Sequence, residues 1–256
     1  AFTFGTDQLT GLWYGKFELG GMVWYPDGTC DDENCSTEDI VILPNETPTY
    51  SLSTRDFFFT MRSMQMNSSN PYGFSSEVGD LHMSKSSEWG AVAYLSQSRY
   101  GKYGNPNYEG ADKEVAVNNC QSYITGIGGD TVDADYSSTT CTTNTYETTK
   151  GTGVYDMSGG IFELMMSYVY YDAETVGMGD IEEKYYEDSL DIYNAPRGYA
   201  FDETFGWYND ELFDFLPGDS GIGSEESFVL RGASLMNSGI FSIWIGSVPS
   251  NVGSRA

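Results

Sequence analysis

Apolar and polar positions alternate along 9–19 around Trp13, Tyr14 and Phe17, a period of two that predicts a half-buried strand. Gly20-Gly21 follows, and 22–25 read as the returning strand of a hairpin. Beyond Ser53 or Thr54, either of which suits an N-cap, the period becomes that of a helix, with Phe57, Met61 and Met64 at i, i+4 and i+7. Methionines in that pattern are core filler rather than a cofactor site. A second helix is expected to start at Ser86-Ser87-Glu88, to turn Trp89, Val92 and Ala93 inward, and to end by Gly101.

The periodicity then fades. From 102 to 152 the chain is rich in Gly, Asn, Asp, Ser and Thr, the composition of a long insertion. A turn and a strongly apolar strand occupy 153–171, an acidic insertion fills 172–196, and a further short segment runs from 198 to 208. A β-rich run at 228–230 opens the C-terminal stretch, where Leu235, Met236, Ile243, Trp244 and Ile245 are either the last core strands or a displayed binding face. Composition alone favours the packed alternative. With no fixed-period repeat and no clean linker, residues 1–256 are expected to form one domain, with insertions at about 102–152 and 172–196.

Charge narrows the partners. Against 12 basic residues stand 38 acidic ones, a formal net charge of −26, so phosphate backbones and anionic membrane surfaces would be repelled and nucleic acid is not an expected partner. No apolar run approaches the ~20 residues that cross a bilayer. Twenty Tyr, 14 Phe and 5 Trp among many Ser, Thr and Gly make the profile of a β-rich, loop-rich protein.

Cys30 and Cys35, then Cys120 and Cys141, form two sequence-local pairs in hydrophilic stretches, where disulfides staple long connections in oxidising compartments. The pairing Cys30 with Cys35 and Cys120 with Cys141 is preferred among the three that four cysteines allow. Zinc fits less well, because neither pair is Cys-x-x-Cys and the single histidine, His82, is distant in sequence. Asn45 and Asn67 head glycosylation sequons. An exported chain needs a signal that is not seen at Ala1, so an upstream, N-terminal part of the polypeptide is expected. The carboxylates at Asp27, Asp31, Asp32, Glu33, Glu38 and Asp39 crowd a loop read over 26–39 and could hold Ca²⁺; without EF-hand spacing, a solvated loop accounts for them better.

Catalytic strings are sparse. Gly218-Asp219-Ser220-Gly221 matches the surroundings of a trypsin-like nucleophile, but His82 is the one available base and its neighbours do not fit, so the string reads as a turn. No phosphate loop, dinucleotide fingerprint or zinc signature occurs, and among 38 acids no pair stands out as a glycosidase dyad.

Four segments in order, Leu12-Trp13-Tyr14-Gly15-Lys16-Phe17-Glu18, Lys85-Ser86-Ser87-Glu88-Trp89-Gly90-Ala91-Val92-Ala93-Tyr94-Leu95, Gly153-Val154-Tyr155-Asp156-Met157-Ser158-Gly159-Gly160 and Val229-Leu230-Arg231-Gly232-Ala233-Ser234, resemble the landmarks of formylglycine-generating-enzyme-like (sulfatase-modifying-factor) domains. The resemblance spans the chain. It implies an α+β, C-type-lectin-like fold: two helices packed on a small twisted antiparallel sheet with long loops. The enzymes of that family use a cysteine pair in the C-terminal core, whereas this chain has none after Cys141, so the resemblance is to the non-enzymatic branch of pilin-like surface proteins and the variable proteins of diversity-generating retroelements.

In that branch a bracket near the C-terminus encloses the ligand contacts. Here it is Arg231-Gly232-Ala233-Ser234 and Gly253-Ser254-Arg255. Carried over by position, the resemblance implies contacts at Leu235, Met236, Ser238, Ser242, Trp244, Ile245 and Ser247, with Ile240, Phe241 and Ile243 as core. Rigid Trp area and adaptable Ser hydroxyls suit recognition. The expectation is an extracellular adhesion or receptor-binding module without enzymatic activity or cofactor, on a cell-surface appendage or virion, taking a protein or glycan ligand and packing with further copies or a filament. The alternative is a structural subunit of a pilus-like filament or virion, and an enzyme of the formylglycine-generating type ranks last.

Overall fold

The computed structural model describes residues 2–4, 6–24, 36–44, 46–50, 52–66, 79–94, 125, 154, 161–168, 178–188, 228–231, 244–245 and 252–254. Strands β1 (Phe2–Phe4) and β2 (Asp7–Leu9) form a tight antiparallel hairpin in which Phe4 lies opposite Asp7. The strand expected over 9–19 is not formed. Beyond Leu9 the backbone is irregular: Phe17, Glu18 and Leu19 are buried in succession, and Trp13 stands 102% exposed. Three consecutive buried positions cannot belong to a half-buried strand, whose faces alternate.

The next hairpin differs in its partner as well. β3 (Gly20–Trp24) pairs with β4 (Ser36–Val41), not with 9–19, so Glu38 and Asp39 are strand residues rather than part of an acidic loop. Gly21 adopts φ 92°, which a side chain would resist, and the chain there is stitched to 47–49: Gly21 N–H donates to Thr47 O, Thr49 N–H to Leu19 O and the Thr49 hydroxyl to Gly21 O. Thr125 is fastened to the same edge, donating its hydroxyl to Leu43 O and its N–H to Glu46 O.

Helix α1 (Thr54–Met66) begins as its sequence requires. Ser53 is the cap: its Oγ accepts the Asp56 N–H at 3.1 Å and donates to Asp56 Oδ2 at 2.8 Å, satisfying a donor that the first turn leaves open. Phe57, Met61 and Met64 are fully buried and join Leu19, Ile40 and Met166 in the core. Helix α2 (Ser86–Tyr94) buries Trp89 and Val92, and Glu88 reaches back to accept the Lys85 N–H at 2.9 Å. Its first N–H groups are satisfied by the sheet: Ser86 donates to Ser167 Oγ at 2.8 Å and Ser87 to Glu187 Oε1 at 2.8 Å. A carboxylate there also complements the positive end of the helix dipole.

Strand β5 (Phe162–Tyr168) is the centre of the larger sheet. Positions 163–168 are all buried, as expected of a strand covered on both faces. It pairs antiparallel with β7 (Phe228–Arg231), which pairs antiparallel with β8 (Trp244–Ile245). On its other side β9 (Val252–Ser254) and β6 (Glu187–Asp188) lie parallel to it. Helix α1 packs on β4 and β5, and α2 on β5 and β7.

The acidic stretch around 180 contributes to this core. Met178, Ile181 and Tyr185, the last in a 3-10 turn (Glu183–Tyr185), are buried against Phe58 and Met83 while Asp180, Glu182 and Glu183 face solvent. Among the described residues no helix is long and apolar enough to cross a membrane.

Candidate functional site

Arg231 and Gly253, which bracket the C-terminal segment, meet the sheet at one level of one strand. Glu163 is in register with Arg231 on β7 and with Gly253 on β9; Leu164 is in register with Leu230 and Ser254. A strand has two hydrogen-bonding edges, so β7 and β9 occupy opposite edges of β5. Among the described residues between them, Ile245 lies opposite Val229 and Trp244 opposite Leu230.

The anchor itself is buried and hydrogen-bonded. Glu163 and Trp89 are both fully buried, and the indole N–H donates to Glu163 Oε2, which ties α2 to β5. Four residues on, Ser167 Oγ donates to Glu187 Oε1 at 2.7 Å while accepting from Ser86, so polar groups inside the sheet are matched to donors on the helix.

Trp244 and Ile245 are thereby placed in β8, beside β7. Leu235, Met236, Ser238, Ser242 and Ser247 lie outside the described residues, as do Ile240, Phe241 and Ile243. So do Cys30, Cys35, Cys120 and Cys141, the sequon residues Asn45 and Asn67, the string 218–221, and Asp27, Asp31, Asp32 and Glu33 of the acidic loop. Among the described residues no group of three or more His, Cys, Asp or Glu side chains is placed to hold a metal ion.

A charged cluster unforeseen in the sequence joins α1, 79–88 and the 3-10 turn. Asp80 accepts the Tyr185 hydroxyl at 2.9 Å on each oxygen, the Arg62 guanidinium on Oδ1, and Lys184 Nζ at 3.4 Å. Burial alone would raise the Asp80 carboxyl; Tyr185, Arg62 and Lys184 outweigh it and hold the pKa below the usual value. Tyr185 is pushed up by burial and by its bond to Asp80. Lys184 is raised as well, its contacts with Tyr185, Glu182 and Asp80 overcoming the opposing effect of burial. Arg62 also donates to Leu81 O at 2.7 Å, and Gln65 binds Gly79 O at 2.6 Å and the Leu81 N–H at 2.8 Å, so α1 holds the 79–81 backbone in place.

Beside it, His82 has Nδ1 3.0 Å from Asp80 O and Nε2 3.2 Å from Glu88 Oε1. Burial opposes ionisation of Glu88, but His82, Lys85 and the Lys85 N–H lower its pKa on balance. Both ring nitrogens of the single histidine are thus committed to the scaffold. No single window of sequence signals this cluster, because Arg62, Asp80 and Tyr185 meet only through the fold. No family model, curated protein or solved structure matches the chain.

Proposed function

We propose that the chain is an extracellular, non-enzymatic recognition module of C-type-lectin-like, α+β architecture, carried on a cell-surface appendage or virion and binding a protein or glycan through Leu235, Met236, Ser238, Ser242, Trp244, Ile245 and Ser247. The observation that supports it is the double anchoring of the bracket, with Arg231 and Gly253 both in register with Glu163. A segment whose ends are held on the two edges of a buried strand can vary between them without disturbing the strand, which is what a binding surface on a rigid scaffold needs. The resemblance of four ordered landmarks adds weight, and the absence of cysteine after Cys141 argues against the thiol oxidase of that family.

The test is binding to printed glycan and extracellular-protein arrays by the parent chain and by Leu235→Ala, Met236→Ala and Trp244→Ala. Loss of a parental signal by tenfold or more in folded variants is expected; unchanged binding in all three would reject this contact face. A filament or virion subunit is the second reading, favoured by Trp13, an indole exposed to solvent over its whole surface. Repeating contacts that each bury more than about 1,000 Å² and cover Trp13 would favour it.

A further inference from the structure

The N-terminal hairpin meets the body through the ring of Phe4. That ring stacks on the His82 imidazole, with centroids 4.8 Å apart and planes 27° from parallel, and meets Tyr185 edge-on at 5.7 Å. Lys85 Nζ and Lys184 Nζ lie 5.1 Å and 5.8 Å from its centroid.

Beneath Phe4, the imidazole is held at both nitrogens by groups that only accept. Asp80 O is a carbonyl, so the Nδ1 contact requires a proton on Nδ1. Glu88 also accepts the Lys85 N–H and pairs with Lys85 Nζ, as a carboxylate does, so the Nε2 contact requires a proton on Nε2. Neutral imidazole carries one of these protons, and whichever nitrogen loses it turns a lone pair toward an acceptor. The side chains of His82 and Glu88 are 17% and 12% exposed and their contact is part-buried, so water does little to replace that bond, whereas the Nδ1 contact with Asp80 O is open to solvent. The positive ring is also the better partner for the face of Phe4.

We infer that His82 is a proton-operated latch: doubly protonated, it bridges Asp80 and Glu88 and holds Phe4, and with it the β1–β2 hairpin, on the body; singly protonated, it releases one bond and loosens the hairpin. Glu88, the Asp80 carbonyl, Tyr185 of the 3-10 turn and Phe4 of β1 meet the imidazole itself; around them Lys85 pairs with Glu88, Lys184 and Arg62 pair with Asp80, and both lysines lie over the Phe4 ring. The sign follows from the two acceptors: the latch is closed on the acid side and opens as pH rises.

One histidine in the chain makes the experiment direct. Ring-nitrogen NMR should give two near-equivalent protonated nitrogens at about pH 5.5 and two unlike ones at about pH 8. Over the same interval, hydrogen exchange corrected for intrinsic rates should show hairpin protection at 2–9 falling roughly tenfold, with 164–167 of β5 unchanged. In His82→Gln the hairpin difference should vanish. A neutral ring at about pH 5.5, or hairpin protection that does not change with pH, would overturn the latch. If His82→Gln does not fold, Phe4→Leu replaces it: the hairpin should then exchange fast at both pH values, and retained protection would overturn the role of the stack.

Discussion

Arg231 and Gly253 lie in register with the same residue, Glu163, from opposite edges of β5. The two ends of the C-terminal segment are therefore fixed relative to each other by a strand that neither belongs to. That strand is in turn fixed to α2 by the Trp89 to Glu163 hydrogen bond, so the segment's frame depends on residues far from it in sequence.

Replacing the donor in that bond tests the frame. Trp89→Phe keeps an aromatic ring but removes the indole N–H from a buried carboxylate, and should lower stability by roughly 2–4 kcal/mol in urea titration. Glu163→Gln, which keeps an acceptor, should cost less. An effect of Trp89→Phe below about 0.5 kcal/mol would mean that the bond does not hold the frame.

The core face of α1 should be sensitive. Met61→Ala and Met64→Ala each empty a fully buried position and are expected to cost about 2–5 kcal/mol, whereas Trp13→Ala should change stability by less than about 0.5 kcal/mol. Chemical denaturation of the three variants side by side checks this ordering.

Backbone strain isolates Gly21. At φ 92° an alanine would be held in the left-handed region, so Gly21→Ala should destabilise by about 1–2 kcal/mol without removing any contact. Gly20→Ala fails for another reason, since its Cβ would sit 2.9 Å from Glu46 Cβ and 3.2 Å from Thr47 O. Both variants should lower the unfolding midpoint, and an unchanged midpoint for Gly21→Ala would contradict the strained conformation.

Acid should weaken the Asp80 cluster. The folded pKa of Asp80 lies below its ordinary value of 3.8, so its contribution is present above that value and is lost as pH falls through the folded pKa. Asp80→Asn should therefore be less stable than the parent at neutral pH, and the difference should shrink below about pH 4. Glu88, also lowered, acts in the same direction from 4.5 downward. Relief of the −26 charge in acid affects parent and variant alike, so the difference between their urea midpoints is the quantity to follow.

Both helices were legible in the chain because their signals are local: Ser53 with Asp56, the spacing of Phe57, Met61 and Met64, and Glu88 ahead of Trp89 and Val92. The apolar stretch within 153–171 likewise announced a strand, which forms over Phe162–Tyr168. The stretch 9–19 misled because its alternation continued into Phe17, Glu18 and Leu19, which burial takes together rather than in turn. Met178, Ile181 and Tyr185 were hidden by the acidic residues between them, although their i, i+3, i+7 spacing carried the signal. The parallel pairing of β9 with β5 and the bond from Tyr185 to Asp80 are long-range and leave no mark in any short window. At the candidate site, the bracket comes from the resemblance alone; that Arg231 and Gly253 share one strand emerges only from the register.

The central claim is that the bracketed segment presents contact residues rather than core, and thermal unfolding of Leu235→Ala, Met236→Ala and Trp244→Ala beside Met61→Ala tests it most directly. The account predicts midpoints for the first three within about 2 °C of the parent and a fall of roughly 5 °C or more for Met61→Ala. Falls in the first three as large as that of Met61→Ala would make the segment part of the core and contradict the account.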